Sequence, residues 1–455
     1  MAVSYKVSDF FKTDLPSWGA YDNTRKIASY IDGQKISMRK IIYTLMKKYP
    51  GHEKVKTETV ANITAAFTNY LHGAQNLCSV CDTMAQSFIG ANNFALLEGN
   101  SGGFGTRCNP TCAAPRYTKV ALSGIIKKLV NADDEEIVGQ QYFEGDWIEP
   151  LFFVPVFPML FLNGSHGLST GFSQDIWPRN PSEVIEYIKK KLAGTEHPRM
   201  SLLPWFRGHL GKVAYNKELD RNESFGVITK NTMTSYTITE LPIGIEYQKY
   251  VEFLDKLCDS SMIVDYSDKC DPKTDKILFE VKTTRDFTKK HEDERKLQEA
   301  FHLVKSLPET LCCLDESSRV REFSSVQEIL DAFIDIRLKY YSKRKAWLLD
   351  TLKSSMELLV SKYVFIKAVV DKKVIVSNKK KDDILKQVEK LDKVIKQDGT
   401  YDYLLKMPIW QLTYEKLEEL KKQIQEAKDT WKKTKETSIQ DMWTADLHEL
   451  KKALG

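Results

Sequence analysis

The strongest pattern of apolar and polar positions lies in the last third of the chain. From about residue 326 to 376 a helical pattern runs without proline or glycine. Within it Leu352, Met356, Leu359, Tyr363, Ile366 and Val370 alternate steps of four and three, the spacing of a heptad stripe. About fifty residues of helix extend roughly 75 Å. A lysine-rich turn is predicted from Asn378 to Lys381, and Leu417, Leu420, Ile424, Ala427 and Trp431 then repeat the stripe. Two packings satisfy this pattern: an antiparallel coiled coil that goes out and returns, or a plain helical bundle. Upstream, Ile41, Ile42, Leu45 and Met46 form one apolar helical face, with Arg39, Lys40, Lys47 and Lys48 around it. A second helical pattern runs from Gln75 to Phe88. Between about 155 and 323 the runs are shorter, and Val227-Ile228-Thr229, Tyr236-Thr237-Ile238 and Ile277-Leu278-Phe279-Glu280-Val281 predict strands separated by turns. The expectation is a multidomain α+β chain divided near 1–154, 155–323 and 324–455.

A length of 455 residues allows two to four domains with a sizeable core. Hydrophobic residues at 42% and charged residues at 28% are ordinary for a globular protein. The most apolar run, Leu151 to Leu162, is too short to span a bilayer and contains Pro155 and Pro158, so no membrane segment is expected. The first residues lack a charged leader followed by an apolar stretch, so the chain is expected to stay where it is made, in the cytoplasm. The net charge of +5 decides little, but its distribution matters. Arg25 to Lys48 holds seven basic residues and one acidic residue, and Arg116 to Lys128 holds four basic and none acidic. Such faces fit a polyanionic partner, although a solvated surface helix gives the same pattern. Of eight cysteines, Cys78, Cys81, Cys108 and Cys112 form two close pairs that could hold zinc or could be buried free thiols.

The run Gly99-Asn100-Ser101-Gly102-Gly103-Phe104-Gly105-Thr106-Arg107 is a flexible-backbone loop, but no Gly-Lys-Ser/Thr follows it. Gly211-Lys212 is followed by Val213 and fails the same test, so no ATP site is read in this chain. Ten residues beyond the glycine loop stands Arg116-Tyr117, in a basic segment. A tyrosine can attack a phosphodiester and keep its bond energy in a phosphotyrosyl ester. A phenol has a pKa near 10, so only about one in a thousand is ionised at neutral pH. The reaction therefore needs neighbouring positive charge on the phosphate, and arginine supplies it as a fixed fork that is always protonated. With 20 tyrosines in the chain, the dipeptide alone is a weak signal.

Its surroundings carry more. Ile31-Asp32-Gly33-Gln34-Lys35 with Met38-Arg39-Lys40-Ile41-Ile42-Tyr43 resembles the DGxKPxQRKxLY block of type IIA DNA topoisomerases. Tyr70-Leu71-His72-Gly73-Ala74-Gln75 is similar to their YHHGEQ block, and Ser87 through Asn93 and Gly105-Thr106-Arg107 to QNFVGSNN and FGTR. Ala113-Ala114-Pro115-Arg116-Tyr117 falls where the family has AAARY, and Pro158 through Gly171 resembles PMxLxNGxEGIxTG. Pro204-Trp205-Phe206-Arg207-Gly208 matches PWFRG, and Tyr403-Leu404-Leu405, Ile409-Trp410 and Asp441 through Leu447 match YLLxMxIWxLT and DxWxxDL. The blocks cover nearly the whole chain, in order.

The resemblance implies a winged-helix (helix-turn-helix) domain, an α/β tower and a long antiparallel coiled coil ending in a C-terminal dimer gate. It implies that Tyr117 forms a 5′-phosphotyrosyl link, that Arg116 and Arg25 hold the scissile phosphate, and that His72 hydrogen-bonds beside it. Lys35, Arg39 and Lys40 lie in the block that grips the DNA backbone, and Leu168 stands where the family has an isoleucine wedge between base pairs. A buried structural histidine and a core leucine are the alternatives for His72 and Leu168. Leu71, Ile36 and Pro115 depart from the family pattern without removing a residue of assigned role. The family also uses Mg2+ held by a Toprim domain, and ATP. The acidic runs Asp133 to Glu136 and Asp265, Asp268 and Asp271 lack the Toprim arrangement and read as solvated loops, so both cofactors are expected on a large partner subunit carrying ATPase and Toprim domains. Double-stranded DNA and a second copy of the chain are the other expected partners. No basic C-terminal wrapping domain is read, which favours relaxation over supercoiling. A non-enzymatic coiled-coil DNA-binding protein is the rival reading. A stand-alone tyrosine recombinase or nickase fits less well, because its spaced Arg and His set is lacking.

Overall fold

The computed structural model describes residues 6–51, 53–195 and 200–455, as a mixed α/β chain. Its contacts group into two compact units, one of residues up to Arg337 together with Asp446–Gly455, the other of Leu338–Ala445.

In the first unit, the helices Leu15–Lys26, Ile36–Lys48, Thr57–Phe67 and Ala74–Ala85 lie together at the start. Ile41, Ile42 and Leu45 of the second, Val60 and Ala61 of the third and Leu77 and Cys81 of the fourth are fully buried, so each helix contributes one apolar face to a shared core. The helix expected from Gln75 to Phe88 stops at Ala85, where Gln86 turns extended. A three-stranded antiparallel sheet closes this group, ordered Val55–Lys56, Lys119–Leu122, Leu97–Gly99. Its central strand pairs Val120 with Val55 on one side and with Gly99 on the other. A hairpin of Ser165–Leu168 and Ser173–Ile176 follows.

Farther along, a four-stranded antiparallel sheet is ordered Val227–Lys230, Ser235–Glu240, Phe279–Thr283, Ile263–Asp268. The helix Tyr247–Asp259 and residues Phe287 and Phe301 cover it, around Ile238, Tyr250, Leu254 and Phe279. The strand expected at Ile277–Val281 lies two residues later, at Phe279–Thr283, with Leu278 O accepting from Lys269 N–H at 2.8 Å beside its start. The acidic runs also differ from expectation. Asp134 is buried and paired with Arg337 at 2.8 Å, in a helical turn rather than a solvated loop. Asp265 and Asp268 belong to the strand Ile263–Asp268, and only Asp271 sits in a turn.

One buried pair joins the two sheet regions. Arg107, at the end of the glycine loop, bonds the Glu240 carboxylate, and its guanidinium also donates to Leu241 O at 3.3 Å. The two side chains are 9% and 1% exposed.

In the second unit, most of the 45-residue helix Val326–Val370 runs beside the helix Tyr414–Glu436. Lys345 donates to Lys435 O and Thr437 O, while Phe365 and Ile366 share a core with Leu417 and Leu420, so the two helices are antiparallel. Ile384, Val388 and Leu404 complete that core as a small bundle. The long helix ends at Val370, six residues before the expected limit, in a turn where Lys372 has φ +57°.

Replacing Arg107 by methionine leaves the buried Glu240 carboxylate without its guanidinium, with His209 and the Leu210 and Leu241 N–H groups beside it. The expected loss is roughly 3–5 kcal/mol of unfolding free energy, read from the urea midpoint, with part of it recovered in the Arg107→Met/Glu240→Gln double variant. A loss below about 1 kcal/mol, the range of an exposed pair, contradicts the anchoring role.

Candidate DNA-cleavage site

Tyr117 stands on a loop that is pinned on both sides. Ahead of it, Ala113 N–H donates to Gly103 O at 2.9 Å and Tyr117 N–H to Ala114 O at 2.8 Å. Behind it, Thr118 is fully buried and donates its hydroxyl to Thr57 Oγ1 at 2.7 Å, while Thr57 N–H bonds Thr118 O at 3.0 Å. The glycine loop packs under this segment: Lys119 N–H reaches Asn100 Oδ1 at 2.7 Å. Gly105 has φ +77°, and a Cβ there would lie 2.7 Å from the Pro110 backbone, so glycine is required for the turn. Tyr117 itself remains 67% exposed, with the Arg116 guanidinium carbon 4.9 Å from its ring centroid.

A second cluster gathers on and beside the helix Leu15–Lys26. Arg25 lies over the Tyr21 ring at 5.9 Å, one helical turn away, and its charge acts on the Tyr70 phenol. Tyr21 OH and His72 Nε2 are 2.5 Å apart, with the rings stacked at 5.8 Å, and Tyr70 meets His72 edge-on at 5.5 Å. Partial burial, then the charge of Arg25, lower the His72 pKa, so the imidazole is neutral at neutral pH. Burial raises the Tyr70 phenol pKa, against the pull of Arg25. His72 is exposed, which removes the reading of a buried structural histidine. These groups rim a cleft walled by Leu71, Phe143 and Leu151, and Arg39 and Lys40 line it from inside.

Arg39 and Lys40 are not free surface cations. Arg39 is 4% exposed, and its Nε and Nη2 donate to Asp32 at 2.6 and 3.0 Å. Lys40 is 6% exposed and bonds Glu149 and Thr68 O. Burial lowers the Lys40 pKa and raises that of Glu149, and their mutual attraction opposes both effects. A direct grip on the DNA backbone by either meets this physical obstacle; its partner carboxylates lie 7 and 109 residues away in sequence. Lys35 is different. Its Nζ donates to His166 O at 2.6 Å and lies beside the hairpin, and burial lowers its pKa.

That hairpin presents Leu168, 77% exposed, at its tip, so this is not a core leucine. One residue pair behind the tip, opposite Gly167, the buried amide of Gln174 holds the hairpin by bonding Ala28 N, Ala28 O and Cys312 O at 2.9, 3.2 and 2.7 Å. Gly167 touches the neighbouring helix end so closely that a Cβ would lie 2.1 Å from Lys26 O. Asp22 accepts hydrogen bonds from Ser169 Oγ, Thr170 N and Thr170 Oγ1 at 3.1, 3.1 and 2.9 Å, and pairs with Lys26. Burial acts to raise the Asp22 pKa, but the bonds from Lys26, Thr170 and Ser169 outweigh it and hold the carboxyl at about 2.

The structure therefore brings Arg25 with His72, Arg116 with Tyr117, and Lys35 with the hairpin of Leu168. Among the described residues, no hydrogen bond, ion pair or ring contact joins Tyr117 to Arg25 or His72. Sequence reasoning missed Tyr21, Asp22 and Gln174. The i, i+4 spacing of Tyr21 and Arg25 was a usable signal; the long-range partners of Asp22 and Gln174 left none. All four candidate zinc cysteines are free thiols, with Cys78 and Cys81 buried in a helix. Among the described residues, no group of three or more His, Cys, Asp or Glu is placed to hold a metal.

Comparison with known proteins places this geometry. Residues 25–448 match the family model of the A-type subunit of DNA gyrase/topoisomerase IV. The chain is 31% identical over 456 residues to DNA topoisomerase 2, mitochondrial, of Dictyostelium discoideum, covering 98% of this chain and 35% of that one. It is 29% identical to DNA topoisomerase 2 of Invertebrate iridescent virus 6, covering 98% and 39%. The chain thus spans little more than a third of the length of these relatives. Its structure matches the DNA-binding, cleavage and re-ligation domain of Plasmodium falciparum topoisomerase II with a TM-score of 0.88 and 29% identity, over 98% of this chain and 64% of that one.

The Asp22 anchor has a defined acid response. Its carboxyl is held at about 2 in the fold against an ordinary 3.8, so the stability it contributes is complete above the ordinary value and is lost as pH falls through about 2. The stability difference between wild type and Asp22→Asn is expected to be constant at neutral pH and to shrink as the pH falls through this window, measured by urea unfolding. A difference independent of pH rules out a charged anchor.

Proposed function

The chain belongs to the DNA gyrase/topoisomerase IV family of A-type subunits, and on that premise we propose that it is the DNA-cleaving subunit of a type IIA DNA topoisomerase, an ATP-dependent isomerase. The observation that carries the proposal is the pairing of an exposed phenol with a guanidinium on a loop whose next residue is buried and pinned.

In the proposed reaction the Tyr117 oxygen attacks a phosphodiester of one strand. A bond forms from the phenol oxygen to phosphorus, the bond to the deoxyribose 3′ oxygen breaks, and that oxygen leaves as a 3′ hydroxyl. The product is a 5′-phosphotyrosyl ester, and the same steps in reverse reseal the strand. Arg116 and Arg25 stabilise the charge that develops on the phosphate, and neutral His72 supplies a hydrogen bond beside it. Lys35 contacts the backbone without reading sequence, so binding weakens with salt. Arg39 and Lys40 act as positioning residues through their carboxylate partners. Leu168 is an apolar wedge that enters between base pairs and bends the duplex.

The finer architecture belongs to the same reading. The three helices from Ile36 to Ala85 with the three-stranded sheet act as a winged-helix domain in 1–154, the sheets of 155–323 as a tower, and the antiparallel helices of 324–455 as a coiled coil with a dimer gate. Two copies then cut opposite strands and let a second duplex pass. The family's Mg2+ does not fit the described acidic residues: Asp134 is taken by Arg337, Asp268 by Tyr247, and Asp271 by Thr274. No step of this chain's chemistry is routed through it. In the proposal Mg2+ and ATP are bound by a large partner subunit carrying the Toprim and ATPase domains.

The test uses enzyme reconstituted with its partner subunit, plasmid DNA, and denaturant trapping of covalent adducts. Tyr117→Phe is expected to abolish the adduct while DNA binding remains. Arg116→Ala is expected to slow cleavage by roughly 10²–10³-fold. An adduct surviving in Tyr117→Phe overturns the proposal, and a wild type that binds DNA but never forms one favours the non-enzymatic reading. For the wedge, Leu168→Ala is expected to leave thermal stability unchanged, because the side chain is exposed, but to reduce bending of a doubly labelled duplex by energy transfer. Unchanged bending removes Leu168 from that role.

A further inference from the structure

We propose that Tyr21 is a positioning residue that fixes the tautomer of His72, so that the imidazole presents an Nδ1–H donor to a DNA phosphate oxygen. This rests on the proposed function only for the identity of the acceptor. The contact itself stands on geometry: Tyr21 OH and His72 Nε2 are 2.5 Å apart, and the rings stack at 5.8 Å with 29° between their planes. Tyr70 closes the other side of the imidazole edge-on, so the ring has little freedom to turn away.

The direction of the bond follows from its surroundings. A neutral imidazole has one donor nitrogen and one acceptor nitrogen. Arg25 lies over the Tyr21 ring at 5.9 Å and its charge acts on the Tyr70 phenol, so a fixed positive charge stands near both phenols. That charge disfavours a second cation on His72 and polarises the Tyr21 hydroxyl as a donor. With Tyr21 O–H donating to Nε2, the proton of the neutral ring must sit on Nδ1. Among the described residues Nδ1 has no hydrogen-bond partner. A phosphate oxygen can only accept, so an Nδ1 without a proton would face it lone pair to lone pair. The Tyr21 hydroxyl therefore converts a ring with two possible tautomers into one prearranged donor.

This assignment separates Tyr21 from a packing role, because the hydroxyl alone performs it. Tyr21→Phe keeps the stacked ring and the arginine contact. Tyr21 is 43% exposed, so the substitution leaves no buried cavity.

The experiment has two arms. In the first, the full chain carries 15N-histidine, and the His72 signals are identified by their loss in His72→Asn. At neutral pH the wild type is expected to show a bare Nε2 and a protonated Nδ1, and Tyr21→Phe a shift toward the opposite tautomer or a mixture. Identical nitrogen signals in the two proteins overturn the proposal and leave the cleavage function untouched. In the second arm, the reconstituted enzyme is assayed for covalent adduct formation. Tyr21→Phe is expected to lower the rate about tenfold, the scale of one lost hydrogen bond. The double variant Tyr21→Phe/His72→Ala is expected to be no slower than His72→Ala alone. Losses that multiply show that Tyr21 does not act through His72 and overturn the proposal. A wild type that forms no adduct defeats the cleavage function instead, and the first arm still decides the tautomer.

Discussion

The fold around the candidate site depends on a charge that has nowhere to go. The Asp32 carboxylate is fully buried and accepts four hydrogen bonds, two from Arg39 and one each from the backbone N–H groups of Gln34 and Phe153. Removing two charges from water is costly unless nearly every lone pair is matched, and here all three chain segments must be in place at once for that to happen. The pair therefore fixes the turn before Ile36–Lys48, the first turns of that helix, and the irregular segment at Phe153 as one piece. Lys35, at the cap of the helix, and the inner wall of the cleft beside Arg25 inherit their positions from it.

On this buried frame the reactive groups share a common design. Each is at least partly exposed, and each lies near a residue that is buried. Tyr117 precedes the buried Thr118; Arg25 follows the buried Asp22 and Asn23; Leu168 lies at the free end of a hairpin, one residue pair from the buried Gln174. A group that must meet a large polyanion has to stand in water, yet it must be held to within a fraction of an ångström to act on one phosphate. Short-range alternation of exposed and buried residues meets both demands without a deep pocket.

Periodicity made much of the fold readable. The heptad steps from Leu352 to Val370 and from Leu417 to Trp431 appear as two antiparallel helices, because burial at fixed spacing is a property of the sequence itself. The helices run antiparallel, and Ile384, Val388 and Leu404 pack with them as a small bundle. What periodicity could not show was pairing over distance. Arg39 and Lys40 look like members of a solvated basic stripe until Asp32 and Glu149 are brought to them, and Asp133 to Glu136 looks like an acidic loop until Arg337 reaches Asp134. The residue types near the reaction were readable as motifs, whereas the supporting contacts of Tyr21 and Gln174 depend on chain segments far apart in sequence.

The Gln174 amide has a mechanical consequence. It ties the hairpin to Ala28, just past the end of the helix that carries Arg25, and Gly167 presses its backbone against Lys26 at the same place. There is no slack at this joint. In the proposed function, a duplex that resists being bent would push back on Leu168, and the load would pass through the Gln174 and Gly167 contacts into the helix. On that proposal the wedge and the arginine would act as two ends of a single lever, and the stiffness of a DNA sequence would be felt at the phosphate without any base being read.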